Sequence, residues 1–257
     1  MTILLITSAT VIGLIVGSFA NVCVYRIPRR ESIAFPGSHC PHCNHAIAAY
    51  DNIPVISWLI LAGHCRHCHA AIAWRYPLLE LLMGISWGLL AWNFGATAQL
   101  ITALCLFFLL WILSFIDLET GLLPNALTYP GIALGIALAW WNGHGSDSLI
   151  GAIAGYGIFW LVAKLFLWLT GREGMGYGDF KLLAMLGAFM GWQALPFIIL
   201  TSSVLGTIIG MVFLYLARKG LRAEIPFGPY LAMAGMIWFV WSYDLLDWYL
   251  HMAGLTA

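Results

Sequence analysis

The chain has 257 residues, 62% of them apolar and only 9% charged, with 11 Lys and Arg balancing 11 Asp and Glu and a mean hydropathy of +0.90. A soluble domain carries roughly 45–50% apolar and about 25% charged residues. The composition therefore excludes a soluble enzyme, a disordered chain and a nucleic-acid binder, and at about 20 residues per membrane helix it provides material for roughly eight spans.

The first apolar run covers residues 3–25, with no cation before it and Arg26, Arg29 and Arg30 just after it. A signal peptide shows the reverse order, so the run is expected to be an uncleaved first helix with its N-terminus outside. Residues 26–75 form the one long polar segment, and further apolar runs lie near 76–94, 98–116, 126–142, 149–170, 182–192, 196–217 and 229–251. Cationic loops stay in the cytoplasm. With 26–75 placed there, Arg66 and Arg75, then Lys164, Arg172 and Lys181, then Arg218, Lys219 and Arg222 all fall at or near the cytoplasmic side. Residues 182–217 would make a helix of about 54 Å, too long for one span and short for two. Its flanks share one side, so a short hairpin turning at Gly191-Trp192-Gln193 is expected. The reading is an all-α polytopic membrane protein of about eight transmembrane helices. It divides into a first helix (1–25), a cytoplasmic four-cysteine segment (26–75) and a transmembrane core (76–257), with no fixed-period repeat.

The cytoplasmic segment holds Cys40-Pro41-His42-Cys43 and, 21 residues on, Cys65-Arg66-His67-Cys68. Two such pairs suit a closed, tetrahedral structural zinc site, each pair gripping the metal from a tight turn. A cytoplasmic location argues against the alternative of disulfides. The segment has little apolar mass, so the metal would supply its folding energy. His39, His42, His45, His64, His67 and His69 crowd the same stretch and read as loop residues.

Ionisable residues at membrane depth are expensive and mark function by default. Two acids combine that position with an unusual local sequence. Asp117 ends the third apolar run, seven residues before Pro124, and Asp179 follows Gly174-Met175-Gly176-Tyr177-Gly178. Two carboxylates brought together share a proton, one acting as base on water and the other as acid on a carbonyl. Glycines at 176 and 178 allow close backbone approach, and with Pro124 they would position the pair. On helix dipoles alone, Asp179, near a helix start, is expected ionised, and Asp117, near a helix end, to hold the shared proton.

Taken in order, these features resemble the type IV prepilin leader peptidase family, bifunctional bacterial enzymes of the Gly-x-Gly-Asp aspartyl class. The matching residues begin with Gly17-Ser18-Phe19-Ala20-Asn21-Val22, Tyr25-Arg26-Ile27-Pro28 and the cysteine pairs. They continue through Asn52-Ile53-Pro54, Ser57-Trp58, Arg75-Tyr76-Pro77 with Glu80, Asp117 with Pro124, Met175 to Lys181, and Pro226-Phe227-Gly228-Pro229-Tyr230. One departure is the short stretch between Pro28 and Phe35. The resemblance implies cleavage of prepilin and pseudopilin leaders at the cytoplasmic face of the bacterial inner membrane. Asp117 and Asp179 would be the catalytic pair, and the new N-terminus would be methylated from S-adenosylmethionine. It implies clients in type IV pili or type II secretion, contact with membrane lipid and no nucleic acid. Asn21, Arg26, Asn52, Gly63, Arg75, Glu80, Lys164 and Lys181 are cofactor or substrate candidates by position or by motif. Two alternatives stay open. A peptidase without methyltransferase activity is one, since no S-adenosylmethionine motif is legible. A proton-coupled transporter is the other, although it predicts a repeat symmetry that the sequence lacks.

Overall fold

The computed structural model describes residues 2–216 and 226–252, so the cationic group Arg218, Lys219 and Arg222 lies outside the described residues. The regular elements of the described residues are all helices, with two isolated backbone bridges, His39 to Ala46 and His64 to Ala71, in the irregular segment between the first and second long helices. The helices are α1 (Thr2–Arg26), the short α2 (Ile56–Ile60), α3 (Arg75–Phe94), α4 (Ala98–Thr120) and α5 (Asn125–Trp141). They continue with α6 (Gly145–Thr170), α7 (Tyr177–Met190), α8 (Leu195–Leu216) and α9 (Gly228–Met252).

The long helices follow the apolar runs in order, because a backbone in hydrocarbon must satisfy its polar groups internally and a helix does so within one segment. Among the described residues five stretches are long and apolar enough to cross a membrane: α1, α3, α4, α6 and Trp192–Phe213. α7 is only 14 residues, about 21 Å against a hydrocarbon core of about 30 Å. It ends at Gly191 (φ +80°), and a 3-10 turn at Trp192–Ala194 leads into α8. The helix break thus falls at the expected hairpin.

The chain divides into two compact units, residues 1–112 and 113–257. In the first, α1 packs along α3. Gly17 of α1 backs directly onto the α3 backbone, where a Cβ would stand 2.7 Å from Glu80 Cα. Small residues at such seams let two membrane helices approach closely. One turn further on, the buried Asn21 donates from Nδ2 to the Tyr76 carbonyl at 3.1 Å, fastening the seam at one end. In the second unit α7 is the central element. Every residue from Leu182 to Phe189 is buried, and α5, α6, α8 and α9 pack around it. A helix enclosed by protein has no need of full bilayer length.

Candidate active site and metal centre

Asp117 stands on the last turn of α4. The helix closes at Gly121, whose φ of +64° favours glycine and whose N–H returns to the Asp117 carbonyl at 2.8 Å. The chain then runs through Leu122 and Leu123 to Pro124, extended at the start of α5, where its carbonyl accepts the N–H groups of Leu127 and Thr128. The Asp117 side chain is only 5% exposed. Its Oδ2 accepts the N–H of Gly228 at 2.9 Å. Gly228 opens α9, and the first N–H groups of a helix have no partner inside it. The carboxylate takes one of them.

Asp179 lies in the first turn of α7, half-buried, where the unpaired N–H groups of that helix favour negative charge. It is close enough to Asp117 for the two carboxylates to repel each other. The glycines before it differ in what they permit. A Cβ on Gly178 would stand 2.9 Å from Leu123 Cβ, so this turn backs tightly onto the segment after Asp117. A Cβ on Gly176 would meet only Asp179 Oδ2 at an ordinary 3.7 Å, and its φ of −74° suits any residue. Close packing demands glycine at 178 and not at 176. Lys181 donates from Nζ to Asn125 Oδ1 at 2.6 Å and lies over the Tyr129 ring, joining the opening turns of α7 and α5. Lys164 is exposed on α6, beside Glu173 and Tyr177 around a small recess.

Gly228 is the residue sequence reasoning passed over. It lay within the Pro226-to-Tyr230 motif, to which no role was attached. A backbone donor leaves no signature in side-chain chemistry. Its signal was the glycine itself, since a Cβ there would stand 2.6 Å from Asp117 Oδ2.

In the 1–112 unit, the sulfurs of Cys40, Cys43, Cys65 and Cys68 all lie within 4.8 Å of one another, and those of Cys40 and Cys68 are 3.8 Å apart. Four thiolates at a Zn–S distance of about 2.3 Å stand about 3.8 Å apart on the edges of a tetrahedron. The cluster fits zinc, and it fills all four positions. The two cysteine pairs sit in equivalent turns. Cys40 donates its N–H to the His45 carbonyl as Cys65 does to that of Ala70, and each turn closes on a positive-φ residue, Asn44 or His69. The turn repeats with a shared histidine, His42 or His67, although Pro41 in one stands where Arg66 does in the other. Backbone N–H groups of Cys68 and His67 aimed at Cys65 bring its thiol down, while burial and the neighbouring thiols push that of Cys68 up. Arg66 pairs with Asp51 through two hydrogen bonds of 2.8 and 2.6 Å, linking the second turn to the preceding 3-10 turn at Ala49–Asn52.

Other candidates gather around one cavity of about 470 Å³ in this unit, lined by Asn21, Arg26, Asn52, Arg75 and Glu80. The buried Arg26 donates to the carbonyls of Ser32 and Gly37, holding the segment that leads to Cys40. Glu80 Oε2 accepts the N–H of Val55 at 2.7 Å. Arg75 lies over the Tyr76 ring and donates to its hydroxyl. Gly63, at φ +72°, stands outside the lining, and a Cβ there would reach the Trp58 ring at 3.0 Å.

Known families match the chain in two blocks. The Bacterial Peptidase A24 N-terminal domain model matches residues 11–94, and the Type IV leader peptidase family model matches residues 104–211. The prepilin leader peptidase/N-methyltransferase of Stutzerimonas stutzeri is 43% identical over 275 residues, covering 96% of this chain and 94% of that protein. The protein of the same name from Pseudomonas aeruginosa is 43% identical, covering 95% and 92%. That from Aeromonas hydrophila is 42% identical, covering 93% and 91%. No solved structure matches.

Proposed function

Because the chain belongs to the type IV leader peptidase family, we propose that it removes the leader of prepilins and N-methylates the amino terminus so exposed, with Asp117 and Asp179 as the catalytic pair. The observation that carries the peptidase chemistry is the pairing of two sequence-distant carboxylates, one buried and held by the Gly228 N–H. Two carboxylates that repel each other can share one proton. The ionised one takes a proton from water as the water attacks the scissile carbonyl carbon. The protonated one gives its proton to the carbonyl oxygen. When the tetrahedral intermediate collapses, the C–N bond breaks and the leaving amine takes up a proton from the pair. Gly228 fixes one oxygen of Asp117, so the carboxylate need not be ordered at the moment of reaction. The expectation that Asp117 holds the resting proton weighs the end of α4 at Asp117 against the start of α7 at Asp179. The start of α9 presents the opposite dipole end to the same carboxylate, so the proton is treated as belonging to the pair.

S-adenosylmethionine would supply the methyl group to the new terminal amine. Zinc, held by Cys40, Cys43, Cys65 and Cys68, would be structural, since four thiolates leave no position for water or substrate. The positions of the cations support a bacterial inner-membrane protein with its N-terminus in the periplasm and the aspartates facing the cytoplasm. A prepilin is a membrane helix with a basic leader, so its scissile bond would lie at that surface. Clients would be prepilins or pseudopilins of type IV pili or type II secretion.

The test is the intact mass of a prepilin incubated with purified protein and S-adenosylmethionine. The wild type should remove the leader and add a methyl group. Asp117→Asn and Asp179→Asn should each slow cleavage by at least about 100-fold, the usual scale for loss of a general acid or base. Cleavage by both variants at wild-type rate would refute the pair.

A further inference from the structure

We infer that α2 is an interfacial helix, whose exposed aliphatic face rests in the headgroup boundary of the phospholipid bilayer that α1 and α3 cross. A lipid contact outside the spans is thereby assigned to part of the polar segment.

Residues 53–62 contain no ionisable side chain, although they lie inside the long polar segment. The run is about half the length of a span, and apolar runs so short either pack into a core or lie in a membrane interface. A core would bury this one. Instead Ile56 is 54% exposed, Leu59 63% and Ile60 72%, and their spacing of three and four puts them on one face of α2. The polar groups turn the other way. Ser57 is buried, donating from Oγ to the Tyr50 carbonyl at 2.9 Å and accepting the Ile53 N–H at 3.0 Å. The Trp58 indole donates to the Ile72 carbonyl at 3.1 Å. Aliphatic side chains outward and polar groups inward is the reverse of a helix on a water-facing surface. None of Ile56, Leu59 and Ile60 lines the 470 Å³ cavity, so no ligand there would cover them.

What covers the face follows from the depth at which α2 is tied. α3 has 20 residues, about 30 Å of helix, which matches the hydrocarbon thickness of a bilayer. Its first residues therefore stand at the boundary between hydrocarbon and headgroups. Trp74, just before it and 69% exposed, is the residue type that collects at that level. Two hydrogen bonds fasten α2 there. One is the bond from Trp58 to Ile72, three residues ahead of α3. The other runs from the N–H of Val55, the residue before α2, to Glu80 Oε2 in the second turn of α3, at 2.7 Å. An aliphatic face held at that level is continuous with the lipid surface of the spans, and burial of such a face in the boundary is what binds interfacial helices. Ser57 also fastens the 3-10 turn whose Asp51 pairs with Arg66. The lipid contact thus holds the second cysteine turn close to the membrane.

The experiment uses the full chain reconstituted in vesicles of phosphatidylethanolamine and phosphatidylglycerol. The photoreactive residue benzoylphenylalanine replaces Leu59, Ile60, Leu89 or Gly37 in turn, and intact mass after irradiation reports what each has captured. Leu89, exposed on α3, marks a span, and Gly37, exposed before the first cysteine pair, marks the polar segment. Phospholipid adducts at Leu59 and Ile60 in a yield like that of Leu89, and none at Gly37, are expected. Absence of phospholipid at either Leu59 or Ile60, capture there of a second copy of the chain alone, or equal phospholipid capture at Gly37 overturns the inference. In a second arm the probe replaces Ile56, and Leu59→Glu with Ile60→Glu is added. Both side chains are exposed, so the change removes no packing inside the chain. It should cut the phospholipid adduct about 10-fold, because carboxylates resist entry into the boundary. An unchanged yield overturns the inference. Bound zinc is the control on folding, and should the double variant lose it, the yields at Leu59 and Ile60 decide.

Discussion

Asp117 shows how much of the proposed catalytic geometry rests on one backbone donor. The Gly228 N–H reaches Oδ2 at 2.9 Å, and a Cβ on Gly228 would stand 2.6 Å from that same oxygen. Gly228→Ala should therefore push the carboxylate off its donor while leaving the helices in place. A displacement near 1 Å costs on the order of 100-fold in rate, so kcat for leader cleavage should fall by about that factor with KM little changed. Gly176→Ala, facing only an ordinary 3.7 Å contact, should stay within a few-fold of wild type. Cleavage rates of the two variants side by side would check this, and equal losses would sink it. The contrast marks where sequence reading is limited. Glycine at 176 and glycine at 178 look alike in a motif, and only the position of Leu123 separates them. Asp51 is a smaller case. The Arg66 hydrogen bond holds its carboxyl below the usual carboxylate range. A depressed folded-state pKa contributes stability above the unfolded value, about 3.9, and the contribution disappears as pH falls through the folded value. This pair, with Arg66 exposed and Asp51 half-buried, therefore gives no pH dependence near neutrality.

Among the elements, the two cysteine turns and the α1–α3 seam make separable predictions. The turns carry little apolar mass, so their fold depends on the metal. A strong zinc chelator should open residues 38–71 to protease while the helices of the 113–257 unit resist. The loss should deepen as pH falls, because each thiolate must give up a proton to bind. A protease pattern unchanged by chelation would count against a structural metal. Leader cleavage should survive brief chelation, since none of the four cysteines belongs to the unit that carries the aspartates. The seam is different in kind. Asn21 donates to the Tyr76 carbonyl in a buried setting, and removing one partner of such a bond costs about 1–3 kcal/mol. Asn21→Leu should lower the melting temperature and weaken zinc retention if the seam supports the cysteine turns. An unchanged melting temperature would show the bond to be dispensable. The same residue that fastens the seam also lines the cavity at its end.

For the whole molecule, the placement of cations argues for one orientation. A membrane-impermeant thiol reagent applied to intact spheroplasts should label Ala96→Cys, in the loop after α3, over the wild-type background. Gly37→Cys, in the polar segment, should label only after permeabilisation. The reverse pattern would invert the topology. Division into two units also predicts separable activities. Asp117→Asn should abolish cleavage yet keep its zinc and its affinity for the methyl donor, checked by metal content and equilibrium binding. Parallel loss of all three would show the units to be energetically inseparable.

Composition alone settled the membrane class, because 62% apolar content cannot be buried in a soluble core of this size. Continuous apolar runs set the order of the helices and even the break at Gly191, since helix formation in hydrocarbon is dictated locally by the need to satisfy each backbone group. Cysteine spacing pointed to the metal cluster, because a tight turn and a tetrahedral ion leave few ways to place four thiolates. Three things were settled by tertiary structure alone. It placed a backbone N–H from residue 228 on the carboxylate of residue 117, it showed that close packing demands glycine at 178 and not at 176, and it gathered Asn21, Asn52 and Glu80 around one cavity. Each depends on contacts between residues distant in sequence, and a backbone donor or a cavity wall has no residue type of its own by which to be read.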